Sequence, residues 1–195
     1  EKIYNSENMT IDFKISPELE VSNAVSKRLQ IPGAFDVGNF IDGKLQLIGV
    51  LCEEDCPLLN VSTRHLKDIF PDLKMNIVAI IRSGEIIVPR DGSHKMEPHD
   101  RVYFVCDTNQ ITRCMVAFGH EEKTANSIII AGGGQIGKNT VNLLNDKMKE
   151  INISIIENNR DQANILAEIF ANISVINGDA LDQDIFCLLY TSPSP

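Results

Sequence analysis

The most constraining feature of the sequence is a glycine-rich turn set between an apolar run and a helical stretch. The turn occupies residues 131–137 (AGGGQIG) and follows three isoleucines at 128–130; a helix is predicted over 138–148. A strand, a glycine turn and a helix in this order are typical of the first half of a dinucleotide-binding fold. Residues 126–187 are therefore predicted to form an α/β domain with a truncated, Rossmann-like parallel sheet.

The three spaced glycines of the turn have different physical tasks. Gly132 permits the tight turn, Gly134 lets the backbone approach a pyrophosphate, and Gly137 lets the helix pack closely on the strand. The free N–H groups and the positive dipole end of the following helix favour an anion there. The turn is thus a predicted phosphate site. The alternative, that the glycines serve tight packing alone, stays open.

A second predicted strand, residues 151–156, ends in an acid. Glu157 comes about 20 residues after the last glycine, where a carboxylate accepts hydrogen bonds from a ribose diol and repels a 2′-phosphate. This favours NAD(H) over NADP(H), although Arg160 is close in sequence. The phosphate-loop pattern of NTPases also overlaps the turn, but Asn139 stands where that pattern needs Ser or Thr, and no Walker B aspartate is evident.

Composition excludes several classes of function. The net charge of -9 argues against a nucleic-acid partner, and no apolar run approaches the ~20 residues of a membrane span. The five cysteines do not form a secreted disulfide pattern and are expected to be free thiols; zinc at Cys52, Cys56 and His65 is disfavoured for want of further ligands. The chain is expected to be cytoplasmic.

The region before the glycine turn is predicted to be a small α+β unit over residues 31–120. Two hairpins are predicted around Asp42-Gly43 and Ser83-Gly84, with a short helix between them, a last strand at 101–106 and a helix at 110–118. Residues 1–30 are interpreted as the end of a preceding domain, with a strand at 10–15 and a linking helix that starts at Ser16-Pro17. Acids of the loop at 91–100 are expected to be solvated, and nothing in the unit looks catalytic.

Several short motifs accompany the glycine turn: ISP at 15–17, IPGA at 31–34, FIDG at 40–43, IRSGEIIVPR at 81–90, DRVY at 100–103 and NGDA at 177–180. In this order they resemble the RCK domains (regulators of potassium conductance) of peripheral subunits of bacterial Trk-type potassium uptake. That family follows a nucleotide-binding half with a small α+β half and duplicates the pair in one chain. The resemblance covers roughly residues 10–186.

The resemblance implies a regulator and no enzyme. It implies a homo-oligomeric gating ring on the inner face of the plasma membrane, bound to an integral-membrane potassium transporter subunit (TrkH/TrkG-like). The ring would respond to NAD(H), with ATP/ADP as the alternative effector. The residues it assigns to the cofactor are Gly132, Gly133, Gly134, Gln135, Ile136, Gly137, Glu157, Asn158, Arg160, Asp179 and Ala180. Within this set Glu157 is assigned to the adenosine ribose and Asp179 to the adenine end.

Two departures from the family pattern qualify this interpretation. The chain starts where a first nucleotide domain should be ending, and residues 188–195 (LLYTSPSP) resemble a translated non-native tail. Two other functions stay open: an ATP/ADP-sensing RCK regulator and an NAD-dependent dehydrogenase, which would share the same fold.

Overall fold

The structure is a computed structural model that describes residues 15–148 and 150–185. These residues form two compact units: Lys27–Thr124 is one, and the described residues up to Ser26 and from Ala125 onward are the other. Helix α1 (Pro17–Gln30) begins in the second of these and ends in the first. The predicted strand at 10–15, apart from Ile15, and the predicted tail at 188–195 lie outside the described residues.

The unit Lys27–Thr124 is an antiparallel sheet with helices against one face. Its sheet order is β1-β2-β5-β3-β4. The strands are β1 (Ala34–Phe40), β2 (Leu45–Leu51), β3 (Met75–Arg82), β4 (Glu85–Ile87) and β5 (Arg101–Asp107). The helices are α2 (Leu66–Ile69), a 3₁₀ turn (Thr108–Gln110) and α3 (Ile111–Ala117). Both predicted hairpins are present.

Turn chemistry explains the tighter hairpin. Ser83 and Gly84 join β3 to β4 with φ of 52° and 85°. A two-residue turn with positive φ at both positions matches the right-handed twist of its strands, and glycine adopts such a φ without strain.

One apolar core holds this unit together. Alternate residues of β2 and β5 point inward and are fully buried, among them Ile48, Val50 and Phe104. Phe118, which caps α3, stacks on Phe104 with ring centroids 5.1 Å apart. Alternation along the strands thus fixes which face of the sheet is buried.

The acids of the loop at 91–100 were expected to be solvated, and for Asp100 this expectation is wrong. Its side chain is 1% exposed and forms a two-point ion pair with Arg82: Nε donates to Oδ1 at 2.8 Å and Nη2 to Oδ2 at 2.7 Å. The backbone N–H of Glu97 donates to Oδ2 at 2.8 Å. Burial would raise the pKa of Asp100, but these hydrogen bonds and the Arg82 charge outweigh it and hold the pKa below its usual value.

The second unit contains the predicted parallel sheet, in the order β6-β7-β8. Its strands are β6 (Ser127–Ala131), β7 (Asn152–Glu157) and β8 (Ser174–Asn177), and its crossover helices are α4 (Gln135–Lys147) and α5 (Arg160–Ile169). Val141 and Leu144 of α4, Ile155 of β7 and Leu166 of α5 are fully buried. The α/β, Rossmann-like interpretation is confirmed.

Helix α1 has the predicted bounds but not the orientation that its apolar residues suggest. Val21 and Val25 are 46% and 39% exposed, whereas Ser22 and Ser26 are fully buried. Within residues 15–148 and 150–185, no helix has the length and apolar character needed to cross a membrane.

Candidate functional site

The glycine turn and Glu157 meet at the carboxyl end of the parallel sheet. Strands β6 and β7 run side by side up to the pair Ala131 and Ile156. The N–H of Gly132 then donates to the Ile156 carbonyl at 2.8 Å, so the turn begins level with the end of β7. The crevice outside the carboxyl ends of strands is where open α/β sheets bind ligands.

Two glycines give the turn its shape. Gly132 has φ of 98°, a left-handed conformation that favours glycine. A Cβ on Gly137 would lie 2.3 Å from the carbonyl oxygen of Gly132, and one on Gly134 would meet nothing within 4 Å. The first turn of α4 therefore approaches the glycine turn itself, while open space lies beside Gly134.

Gly133 has a packing role that the motif did not predict. A Cβ there would lie 2.1 Å from Cδ1 of Leu166 and 3.2 Å from Oε2 of Glu157. The fingerprint accepts any residue between its first two glycines, which is the position of Gly133. Only the observed position of α5 shows that this residue has to lack a side chain.

The N-terminus of α4 supplies hydrogen-bond donors at the same edge. Gly134 is its N-cap residue, and the Lys138 N–H donates back to the Gly134 carbonyl at 3.0 Å. The first four N–H groups of an α-helix have no partner within the helix. With no acid in the first turn of α4, the positive end of the dipole is not neutralised locally. This arrangement is suited to an anion.

Glu157 links the glycine turn to the turn before α5. Its Oε1 accepts from the Asn159 N–H at 2.9 Å and its Oε2 accepts from the Gly133 N–H at 2.7 Å. These two backbone donors hold the pKa of Glu157 below its usual value, with a smaller contribution from Lys138. Each carboxylate oxygen keeps acceptor capacity for a further donor. The group can therefore accept hydrogen bonds from a diol.

The remaining predicted site residues lie around this carboxylate with differing contacts. The Gly178 N–H donates to the Glu157 carbonyl at 3.0 Å, which brings the turn before Asp179 and Ala180 to the end of β7. Asp179 itself accepts from the Leu181 N–H at 2.9 Å. Arg160 is the first residue of α5. Among the hydrogen bonds of the described residues, none joins Arg160 or Asp179 to Glu157 or to the glycine turn.

Two amide side chains complete the site, and sequence reasoning missed both. Asn177 donates through Nδ2 to the Glu157 carbonyl at 2.8 Å and to the Asn158 carbonyl at 2.9 Å. Gln162 donates through Nε2 to the Gly133 carbonyl at 3.3 Å. Asn177 lies in the family-like NGDA motif, so the motif could have identified it as a site residue. Gln162 lies in no such motif.

The acidic and thiol side chains offer no alternative site within the described ranges. There, no group of three or more His, Cys, Asp or Glu side chains could hold a metal ion. Cys52, Cys56, Cys106 and Cys114 are buried free thiols.

Comparison with known proteins places both units in one family. The model of the TrkA-C domain matches residues 47–118, and that of the TrkA-N domain matches residues 128–189. The chain is 40% identical over 179 residues to the Trk system potassium uptake protein TrkA of Azorhizobium caulinodans, covering 92% of this chain and 39% of that protein. It is 29% identical to the TrkA protein of Haemophilus influenzae, covering 95% of this chain and 40% of that one.

Solved structures support the fold. The GsuK RCK domain matches with a TM-score of 0.51 at 14% identity, covering 90% of this chain and 36% of that one. The GsuK channel bound to NAD matches with a TM-score of 0.52 at 14% identity, covering 90% and 30%. The chain spans about two-fifths of the length of these two curated relatives.

Proposed function

This chain belongs to the TrkA family, with a TrkA-C domain followed by a TrkA-N domain, and we propose its function from this. The chain is part of a nucleotide-binding regulatory subunit that gates potassium uptake in response to NAD(H). Its partner in this proposal is an integral-membrane potassium transporter subunit of the TrkH/TrkG-like type. The regulatory subunit acts as a homo-oligomeric gating ring, peripheral on the cytoplasmic face of the membrane.

The proposal of NAD(H) as the ligand rests on the ionised carboxylate beside the glycine turn. Glu157 reaches the turn through the Gly133 N–H at 2.7 Å, so a ribose held there next to the phosphate site meets an acceptor. A 2′-phosphate would meet a negative charge, because the pKa of Glu157 is lowered by its backbone donors. This geometry supports a dinucleotide with a free ribose diol.

The proposed mechanism is a shift between two conformations and has no chemical step. A ligand moves such an equilibrium only by its differential affinity for the two states. The adenosine and diphosphate groups are common to NAD⁺ and NADH, so their contacts to Glu157 and the turn provide affinity. The difference between the two ligands has to come from contacts with the nicotinamide end.

A dehydrogenase is the alternative that the same fold permits, and it needs a proton donor or base facing the nicotinamide. The most buried acid among the described residues, Asp100, is already paired with Arg82 and lies in the unit without the glycine turn. The relatives named above are potassium uptake proteins, which favours the regulatory proposal.

A flux measurement tests the proposal. The complete regulatory subunit carrying this region is added to vesicles that contain the transporter subunit, and rubidium uptake is followed with NAD⁺, NADH, ATP or ADP. We expect NADH and NAD⁺ to change uptake differently, and Glu157→Ala to abolish that response. Glu168→Ala, an exposed acid of α5, is the matched control and keeps it.

Three other outcomes would contradict the proposal. A response to ATP and ADP alone assigns the site to adenylate sensing. No nucleotide response from a bound subunit removes the regulatory role. Hydride exchange between NADH and a carbonyl compound by the purified protein would establish the enzyme instead.

A further inference from the structure

Helix α1 buries two serines and leaves neighbouring apolar residues exposed. Ser22 and Ser26 are fully buried, while Val21 and Val25 are 46% and 39% exposed. An amphipathic helix normally turns its apolar stripe to the core. The buried side of α1 is instead the side that contacts the candidate nucleotide site.

Ser22 makes that contact. Its Oγ lies 3.1 Å from the carbonyl oxygen of Ile136, the second residue of α4. The same Oγ lies 2.7 Å from the carbonyl oxygen of Glu18 in its own helix. A hydroxyl has one hydrogen to donate, so the two carbonyls compete for it. Thr140 of α4 also donates to the Ile136 carbonyl, at 2.8 Å.

The Ile136 carbonyl belongs to the peptide group whose N–H is that of Gly137. Gly137 is the third residue of α4, so its N–H is one of the donors left free by the helix at the anion site. Hydrogen bonds at the two ends of a peptide group strengthen each other. A phosphate that accepts from the Gly137 N–H makes the Ile136 carbonyl a better acceptor for the Ser22 hydroxyl.

We propose that Ser22 is a positioning residue that couples nucleotide binding at α4 to the docking of helix α1. Phosphate binding draws the Ser22 hydrogen from the Glu18 carbonyl to the Ile136 carbonyl and tightens α1 against α4. The inference rests on the proposed nucleotide site. Because coupling between two events is reciprocal, a docked α1 also raises nucleotide affinity.

The position of α1 in the chain connects this coupling to the unit Lys27–Thr124. The helix begins in the unit with the glycine turn and continues, as one helix, to Gln30 in the unit Lys27–Thr124. A change in the contact between α4 and the first half of α1 is therefore transmitted along a continuous helix. The coupling supplies a route by which the bound nucleotide affects chain beyond its own unit.

Hydrogen–deuterium exchange with and without saturating NADH tests the inference on the whole chain. In the wild type, NADH is expected to slow exchange both in the glycine turn and in residues 17–26 of α1. In Ser22→Ala the glycine turn is still protected, but α1 no longer responds. The variant is expected to bind NADH up to about five-fold more weakly, the scale of one hydrogen bond.

Thr140→Val is the matched control, since it removes the other hydroxyl bond to the same carbonyl and keeps the Ser22 hydroxyl. In this variant α1 should still respond to NADH. A purely structural role for Ser22 would change α1 exchange equally with and without ligand, and that result would overturn the coupling.

Failure of the coupling is distinguishable from failure of the site. A protected glycine turn with unchanged exchange in wild-type α1 overturns the coupling and leaves the site in place. No protection anywhere on addition of NADH removes the nucleotide site and this inference with it.

Discussion

At the scale of single residues, Glu157 has two simultaneous roles. It ties the glycine turn to the start of α5 through the Gly133 and Asn159 N–H groups, and it presents a carboxylate to a ribose. Glu157→Gln keeps the shape and removes the charge, so we expect NADH affinity to fall about 10- to 100-fold, the cost of one or two charge-assisted hydrogen bonds.

Titration of NADH fluorescence checks this prediction, with NADPH titrated in parallel. Loss of the charge should narrow the preference for NADH over NADPH, because repulsion of the 2′-phosphate is removed. Glu168→Gln serves as control. Equal affinities of Glu157→Gln and wild type for NADH would contradict the ribose assignment.

Neighbouring glycines of the turn should respond to alanine in opposite ways. Gly133→Ala puts a Cβ 2.1 Å from buried Leu166, so it should destabilise the unit by about 1–3 kcal/mol through overpacking. Gly134→Ala meets nothing within 4 Å and should fold normally, yet its methyl group occupies the space expected for a pyrophosphate.

Urea unfolding and NADH titration of both variants separate these effects. We expect Gly134→Ala to keep wild-type stability and lose measurable NADH binding. Wild-type NADH affinity in a folded Gly134→Ala variant would show that the phosphate does not lie at that position.

At the scale of elements, the Arg82–Asp100 pair joins the end of β3 to the residue just before β5. Arg82→Met leaves the Asp100 carboxylate buried without its cation, so we expect a loss of about 3–5 kcal/mol at pH 7. Arg113→Met, at an exposed position of α3, should change stability by less than about 0.5 kcal/mol.

The pH dependence of this loss has a definite sign. In the wild type the pKa of Asp100 is lowered, so its contribution to stability is present above the unfolded pKa of about 4 and is lost as pH falls through the folded value. In Arg82→Met the guanidinium no longer lowers that pKa against the effect of burial, so protonation at lower pH relieves the penalty of the unpaired carboxylate. Urea unfolding at pH 7 and at pH 4.5 should therefore show a smaller difference at pH 4.5; an unchanged difference would contradict the buried-carboxylate account.

The elements also show what sequence can predict and what it cannot. Strand β5 starts at Arg101 and α1 starts at Pro17, both as predicted, because alternation, turn residues and caps are local signals. The face that α1 buries was not predictable. The buried Ser22 forms a hydrogen bond with the carbonyl of Ile136, more than a hundred positions away in the sequence. No local sequence pattern predicts such a contact. Gly133 is similar, because its constraint comes from Leu166.

At the scale of the whole molecule, NADH should protect the unit that contains the glycine turn more strongly than the unit Lys27–Thr124, which it affects only through α1. A ligand that binds only the folded glycine-turn unit stabilises it by about 2.7 kcal/mol at 100 times Kd. Hydrogen exchange in low urea should show NADH protecting the core of α4 and β7, while Arg82→Met exposes the core of β2 and β5. Equal protection of both sheets by NADH would contradict this difference between the units.

The glycine fingerprint and the family-like motifs predicted the type of both units, and the comparisons confirm the TrkA family. They could do so because glycine turns, hairpin turns and the strand-terminal acid have fixed positions in sequence. The amide contacts of Gln162 and the buried Asp100 depend on packing and needed the structure.

The most direct test of the central claim is a fluorescence titration of NADH into the wild-type chain, with ATP and ADP as competitors and Gly134→Ala as the blocked site. The account predicts saturable binding of NADH, competition by ADP and ATP through the shared adenosine and phosphate groups but with lower affinity than NADH, and no binding to the variant. A folded wild-type chain that fails to bind NADH, or that binds it as well after Gly134→Ala, would contradict it.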